Sequence, residues 1–282
     1  MHAILIFVQN FRIQEGKFTV FIEVSIISES SKGSWVYFGG MKARLADSAP
    51  WLREGEEKRH AVREMFSRIA PNYDLANSLM SVRLHRRWRE TAVKMLQLQP
   101  GNDVLDVCCG TGDFLIPLRQ AVGAEGTVIG LDFCQPMLDL AAKKAGHDAP
   151  LINGDACDLP FSPNQFDAVT VGWGIRNVPD IDRAHQEIAR VLKPGGRFVS
   201  LDMAIPSNPV VRWGAHSISR FVLPLCGAVL GQKTAYTYLH ESTERFKSRE
   251  ELAESMRKAG MTNVQWKDLF GGSICIHLGT KE

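Results

Sequence analysis

Between Val62 and Ile69 apolar residues recur at helical spacing, with Val62, Met65, Phe66 and Ile69 on one face until Pro71 ends the run. A second helix is expected over about 77–98, closed by Pro100 and Gly101. From there the pattern alternates. Short aliphatic and β-branched runs near 103–108, 127–132, 151–154, 166–171, 197–203, 263–270 and 273–280 predict strands. Helical periodicity near 112–122, 134–145, 181–192 and 248–259 fills the gaps between them. Strands separated by helices of this length form parallel βαβ units with right-handed crossovers. The last two strands are joined only by Gly271 and Gly272, so they pair as a hairpin and one strand runs antiparallel. The predicted class is α/β: a seven-stranded, mostly parallel sheet with helices on both faces and an antiparallel C-terminal hairpin strand.

Two stretches fall outside this rhythm. In residues 1–40, Phe18, Val20, Ile22 and Val24 alternate with Thr19, Phe21, Glu23 and Ser25 as in a strand, and Ser28 to Ser34 reads as a loop. Two readings stay open for this extension: a translation start at Met41, or a small β-hairpin on the domain edge. Residues 41–60 form a charged, solvated lead-in to the main domain at 61–282. Residues 207–245 break the alternation with Trp213, Ile218, Phe221, Val222, Leu223 and Leu225, and are expected to form a helical lid. Such a lid can cover a greasy ligand and touch a bilayer surface, with Arg212 and Arg220 available for headgroups; a buried helical pair or a dimer face fits equally.

Composition narrows the class. The 282 residues are 45% hydrophobic and 23% charged, which excludes a disordered or fibrous chain. Thirty-three Lys and Arg against 31 Asp and Glu leave +2, so no whole-chain basic field points to nucleic acid. Six cysteines without a Cys-x-x-Cys pair suggest a reduced, cytoplasmic protein with no metal site. The longest apolar stretch, Phe221 to Leu230, is about half of the roughly 20 residues that span a bilayer, and the N-terminus lacks the pattern of an export signal.

The candidate chemistry gathers at strand ends. Val104-Leu105-Asp106-Val107 leads into Cys108-Cys109-Gly110-Thr111-Gly112, a glycine turn that lets backbone approach a ligand at the carboxyl edge of the sheet. Leu115 stands where a dinucleotide fingerprint needs its third glycine, which disfavours a pyrophosphate grip and with it a nicotinamide oxidoreductase. Asp132 ends the second strand and suits a pair of vicinal hydroxyls; Asp155 ends the third, where it can accept from an amino group while the Ala156 N–H meets a ring nitrogen. Three acids at three successive strand ends, Asp106 included, are unlike chance.

This set resembles the class I S-adenosylmethionine-dependent methyltransferases, a Rossmann-like fold with a glycine loop, a ribose acid and an adenine-edge acid in that order. Cys108 departs from it, since many members carry glycine there. A narrower resemblance, to the menaquinone and ubiquinone biosynthesis C-methyltransferases, rests on four segments spanning about 62–282: Tyr73-Asp74-Leu75-Ala76-Asn77-Ser78-Leu79-Met80-Ser81 with His85 and Trp88, Gly174-Ile175-Arg176-Asn177-Val178, Arg190 to Arg197, and Tyr236-x-Tyr238-Leu239-x-Glu241-Ser242. Ala76 and Asp202-Met203 depart from the family pattern on the substrate side.

The resemblance implies methyl transfer from S-adenosylmethionine to a ring carbon of a polyprenylated quinol. The cofactor side then comprises Tyr73, Asp106, Gly110, Thr111, Gly112, Asp132, Asp155, Ala156 and Gly172. Ring carbon becomes nucleophilic once a neighbouring hydroxyl is deprotonated, so a base and a partner for the phenolate are needed. Arg176 and Asn177 follow the fourth strand and are placed for the second task; arginine stays protonated and is no base. His85 and His240 are the base candidates. Tyr73, Tyr236 and Tyr238 are candidates for the pocket wall. Other readings are a methyltransferase acting on sterol, another small phenol or RNA, and a non-catalytic member of a quinone-synthesis complex. Head group, tail length and oligomeric state, including a homo-oligomer, stay open.

Overall fold

The structure is a computed structural model that describes residues 55–144, 149–216, 238–239 and 242–282 with their side chains, and the backbone of 4–14, 17–30, 33–38, 41–44 and 145. The chain divides into two compact units, Met1–Lys58 and Arg59–Glu282.

The first unit is a four-stranded antiparallel meander, β1 (Ile4–Gln14), β2 (Lys17–Ser30), β3 (Gly33–Phe38) and β4 (Met41–Arg44), in that spatial order. The alternating run 18–24 lies within β2, in register with β1 from Gln14↔Lys17 to Ile4↔Ile27. The loop expected at 28–34 is instead mostly strand, because Ser30 pairs with Gly33 and only two residues connect β2 to β3. Met41 opens β4 opposite Phe38, so residues 1–40 hold three strands rather than a single hairpin and pair onward into β4.

The second unit opens with three helices, α1 (Gly55–Ile69), α2 (Tyr73–Met80) and α3 (Leu84–Leu96), the first two linked by a 3-10 turn at Ala70–Asn72. The single helix expected over 77–98 is two. Val82 and Arg83 take φ of +48° and +62°, which no α-helix accommodates, and the Ser81 N–H and Oγ both return to the Asn77 carbonyl to close α2. Helix α1 begins at Gly55, so part of the expected lead-in is already helical.

The sheet follows: β5 (Asp103–Val107), β6 (Thr127–Asp132), β7 (Leu151–Asn153), β8 (Phe166–Gly172), β9 (Leu192–Met203), β10 (Met261–Leu269) and β11 (Ile274–Lys281). Their spatial order is β10-β11-β9-β8-β5-β6-β7. Strands β5 to β9 are parallel, and β11 runs antiparallel to both β9 and β10. The turn between β10 and β11 is longer than two glycines: Leu269 pairs with Ile274 across a 3-10 turn at Phe270–Gly272 plus Ser273. Among the described residues, helices α4 (Leu115–Val122), α5 (Gln135–Ala145), α6 (Ile181–Val191) and α7 (Arg249–Lys258) follow in chain order, and residues 209–216 are also helical.

The sheet is buried on both faces, as its continuous apolar runs require. Leu105 and Val107 pack with Ala184, Ile188 and Met256 from α6 and α7; Val104 points the other way, with Ala92, Leu96, Leu115 and Leu118 from α3 and α4. The period-two alternation of one strand thus anchors both helical layers, and it leaves the carboxyl ends of β5, β6, β7 and β8 along one edge. The lid expected over 207–245 lies largely outside the described residues. Of its basic residues, Arg212 donates to the carbonyls of Pro206 and Ser207, so its guanidinium is committed to backbone rather than offered to headgroups, and Arg220 lies outside the described residues. Among the described residues no helix is long and apolar enough to cross a membrane.

Candidate active site

The loop after β5 carries the site. Cys108, Gly110 and Gly112 have φ of +56°, +54° and +82°. The left-handed region costs a residue with a Cβ on the order of 1–2 kcal/mol, a strain that Cys108 bears and a glycine there would not. Here a second glycine makes room for the cysteine: a Cβ on Gly174 would lie 2.3 Å from the Cys108 Cβ. The Cys109 N–H donates to the Leu131 carbonyl and the Gly112 N–H to the Cys109 carbonyl, which fixes the turn.

A cavity opens over this loop, lined by Tyr73, Gly110, Asp132, Asp155, Ala156, Gly172 and Asn177 together with Arg59, Phe66 and Trp173. Asp132 accepts the Gly110 N–H at 2.8 Å and the Cys134 N–H at 2.9 Å. Its burial raises the carboxyl to about 6 against those donors. Asp155 accepts the Cys157 N–H at 2.9 Å and faces Arg59 at 3.3 Å. Gly172 is required by packing, since a Cβ there would meet the Phe114 ring at 2.5 Å.

The remaining loop residues stand behind this wall. Thr111 is buried, donates to Asp74 at 2.6 Å and accepts from Lys144 at 3.1 Å, while Gly112 packs on Leu115 and Ala141. Lys144 also bridges Asp74 and Asp113, each at 2.6 Å, so this cluster ties α2 and α5 to the loop. Asp106 lies fully buried with Thr170 donating to its Oδ1 at 2.6 Å, and its Oδ2 has no partner among the described residues. Burial raises it to about 7.

A second, larger and mostly apolar cavity shares Phe66, Tyr73 and Trp173 with the first and encloses about 1390 Å³ of non-protein space, part of it open to solvent. His85, Arg89, Arg176 and Tyr238 bring its polar groups. Arg176 pairs with Asp202, both nearly inaccessible, and burial raises the Asp202 carboxyl despite that cation. Asn177 donates to the Trp173 carbonyl at 3.0 Å and accepts the Tyr238 hydroxyl at 2.8 Å. Burial pushes the Tyr238 phenol up to about 12. His240 and Tyr236 lie outside the described residues.

His85 is held at both ring nitrogens: Nδ1 lies 2.5 Å from Ser81 Oγ, which also reaches the Asn77 carbonyl at 2.6 Å, and Nε2 lies 3.9 Å from Asp113. Burial, and then the Arg89 charge, lower the His85 pKa and keep the ring neutral.

The sequence reading missed Arg59, Arg89 and Trp173. Arg59 lies in the charged stretch 41–60, yet it falls seven residues before Phe66 on the face of α1 that lines the first cavity. Arg89 is four residues after His85 and therefore on its side of α3; its guanidinium lies 4.5 Å from the Trp173 ring centroid and 3.3 Å from Asp113. Among the described residues no cluster of His, Cys, Asp and Glu could hold a metal ion.

The first cavity fits S-adenosylmethionine. Gly110 leaves open space where a side chain would stand, two acids present acceptors, and Leu131 and Met137 supply an apolar floor. Asp132 would take the ribose hydroxyls, Asp155 with the Ala156 N–H the adenine edge, and Gly110 the close backbone approach. Bound there, this cofactor supplies a methyl group on a positively charged sulfur.

Comparison with known proteins points to the same cofactor. The chain is 41% identical over 234 residues to the demethylmenaquinone methyltransferase of Staphylococcus carnosus, covering 82% of this chain and 97% of that one. It is 41% identical over 233 residues to the protein of that name from Desulfitobacterium hafniense, covering 80% and 92%. Among solved structures, an S-adenosylmethionine-dependent methyltransferase from Thermotoga maritima superposes with a TM-score of 0.58 at 22% identity, over 78% of this chain and all of that one, and shares the fold. One from Aquifex aeolicus gives 0.52 at 20% identity, over 70% and 91%. The ubiE/COQ5 methyltransferase family matches residues 53–281, and the chain belongs to that family of S-adenosylmethionine-dependent methyltransferases.

Proposed function

We propose that the enzyme methylates a ring carbon of a demethylated polyprenyl quinol, converting demethylmenaquinol to menaquinol, and that the site residues act as follows. The observation that carries this reading is the pair of cavities: a smaller one at the sheet edge that holds Asp132 and Asp155, and a larger apolar one, with Phe66, Tyr73 and Trp173 lining both. A ring inserted beside these three presents its carbon to the first cavity while its tail stays in apolar surroundings. His85 Nε2 takes the quinol proton, and Asp113 then faces the imidazolium. Arg176, backed by Asp202, meets the phenolate charge that spreads to the ortho carbon. Asn177, held by Trp173 and Tyr238, keeps the turn after β8 in place between the cavities. The same reading places the enzyme in the cytoplasm, in peripheral contact with the membrane where such a quinol resides, and leaves a homo-oligomer as a further proposal.

The test is incubation of the full chain with S-adenosylmethionine carrying an isotopically labelled methyl group, and with reduced demethylmenaquinone or reduced demethylated benzoquinone of matched tail. Mass spectrometry should find the label on the naphthalene ring carbon. Label on neither quinol, or on oxygen instead of carbon, refutes the reading.

A further inference from the structure

The outer side of the α2–α3 corner sets exposed aliphatic side chains beside exposed cations. Helix α2 turns Ala76, Asn77 and Met80 into the second cavity, yet its opposite side is also apolar: Leu75 is 55% exposed and Leu79 62%. Val82 continues the patch at 80% exposure, its N–H bonded to the Leu79 carbonyl. A helix that covers a cavity needs one apolar face, and among the described residues the second stays exposed. Directly after it come Arg83, Arg86 and Arg87, all exposed and spaced three and four residues apart on the first turns of α3. None of the three forms a salt bridge among the described residues, in contrast to Arg89 on the buried side. The nearest acid on α2, Asp74, is held by Lys144.

We infer that this corner docks the enzyme on a bilayer surface containing anionic phospholipid, with Leu75, Leu79 and Val82 entering the headgroup–acyl boundary and Arg83, Arg86 and Arg87 facing the phosphates. Exposed aliphatic side chains beside unpaired cations are the combination an anionic interface binds, because acyl chains take the one and headgroup charge the other. A protein partner would be expected to bring carboxylates, and a second copy of this chain would bring arginines against arginines across a twofold contact. The placement also has a use: Ala76, Asn77, Met80 and Ser81 line the cavity while Leu75, Leu79 and Val82 face outward, so the apolar cavity lies behind the segment that meets the acyl chains. The inference rests on the proposed quinol substrate for that use, but not for the binding itself.

The experiment is co-sedimentation of the full chain with vesicles of phosphatidylcholine alone and of phosphatidylcholine mixed with phosphatidylglycerol. Wild type should prefer the mixed vesicles and lose that preference as salt rises. Each arginine near such a surface contributes about fivefold, so Arg83→Gln/Arg86→Gln/Arg87→Gln should weaken binding on the order of a hundredfold. Leu79→Ser/Val82→Ser should weaken it on both vesicle types. These side chains are exposed, so Tm should hold, and methylation of a tail-less demethylated quinol in solution should stay at the wild-type rate while that of a long-tailed quinol in mixed vesicles falls. Undiminished vesicle binding by both variants overturns the inference, as does sedimentation showing a wild-type dimer that Leu79→Ser/Val82→Ser dissociates without any vesicle affinity. Failure of the proposed function is separate: wild type would then leave the tail-less quinol unmethylated whatever the vesicles do.

Discussion

Replacing Gly174 with alanine places a Cβ 2.3 Å from the Cys108 Cβ and 3.0 Å from its Sγ, closer than carbon atoms tolerate. The other near neighbour, Val171 Cγ1 at 3.3 Å, can yield by a few tenths of an ångström. The overlap is therefore owed almost wholly to one side chain. Overpacking of this kind costs about 1–3 kcal/mol, and for a unit of this size each kcal/mol lowers Tm by about 2–4 °C. Gly174→Ala should lose on the order of 5 °C. Cys108→Gly removes the obstacle and the strain of a Cβ residue at φ +56°, but adds unfolded-chain entropy of about 0.5–1 kcal/mol and gives up some side-chain contact. By itself it should be near neutral. The double variant should then return close to wild type, a coupling of about 1–3 kcal/mol between two positions 66 residues apart in the chain. Thermal or urea denaturation of the four proteins completes the cycle, and S-adenosylmethionine affinity by calorimetry reports whether the loop keeps its shape. A penalty for Gly174→Ala that is the same with cysteine or glycine at position 108 would refute the reasoning.

Other outcomes follow from the same geometry. Arg176→Ala should lower kcat by about 10²–10³ with cofactor affinity near wild type, and Arg176→Lys should still be impaired; a destabilised variant with normal turnover per folded molecule would make the Asp202 pair purely structural. Asp132→Ala removes a charged acceptor worth about 1.5–3 kcal/mol, so S-adenosylmethionine binding should weaken tenfold or more; calorimetry showing no change sinks the ribose assignment. Asp106 is raised to about 7 from an ordinary value near 4, so the folded state holds a proton the unfolded chain has released, and stability should fall as pH rises through roughly 4 to 7. Asp106→Asn should flatten that fall in denaturation measured at pH 5 and pH 8, and an unchanged slope counts against it. A chain beginning at Met41 retains all of residues 59–282 and should bind S-adenosylmethionine as the full chain does, which calorimetry on both can decide.

What was legible in the sequence is what local chemistry dictates. Strand β5 announces itself because Val104, Leu105 and Val107 are all buried between two helical layers, and Asp132 and Asp155 because acids end strands that glycines and helices follow. The break at Ser81–Arg83 was hidden: no glycine or proline marks it, and Val82 is among the residues least suited to a positive φ. Arg89 and Arg59 were hidden for another reason. A charge on a helix reads as solvated unless the neighbouring element is known, and Trp173, which stacks on Arg89, is 84 residues away. The division of labour in the glycine loop was equally out of reach, because whether Thr111 meets a ligand or Asp74 depends on where α2 lands.

The shared wall of Phe66, Tyr73 and Trp173 has a consequence for how such an enzyme can change over generations. Among the described residues only these three belong to both cavities. The cavity at the sheet edge draws on the strand-end loops, whereas the larger one is walled chiefly by α1 to α3 and by residues from Met203 onward. Substitutions at positions such as Met65, Ala76 or Met80 can therefore resize the acceptor compartment, and drift toward a new lipid-like ring need not disturb the methyl donor's grip. The three shared aromatics are where that freedom ends: a change there alters donor and acceptor together, and lineages that explore new acceptors should find those positions the hardest to move.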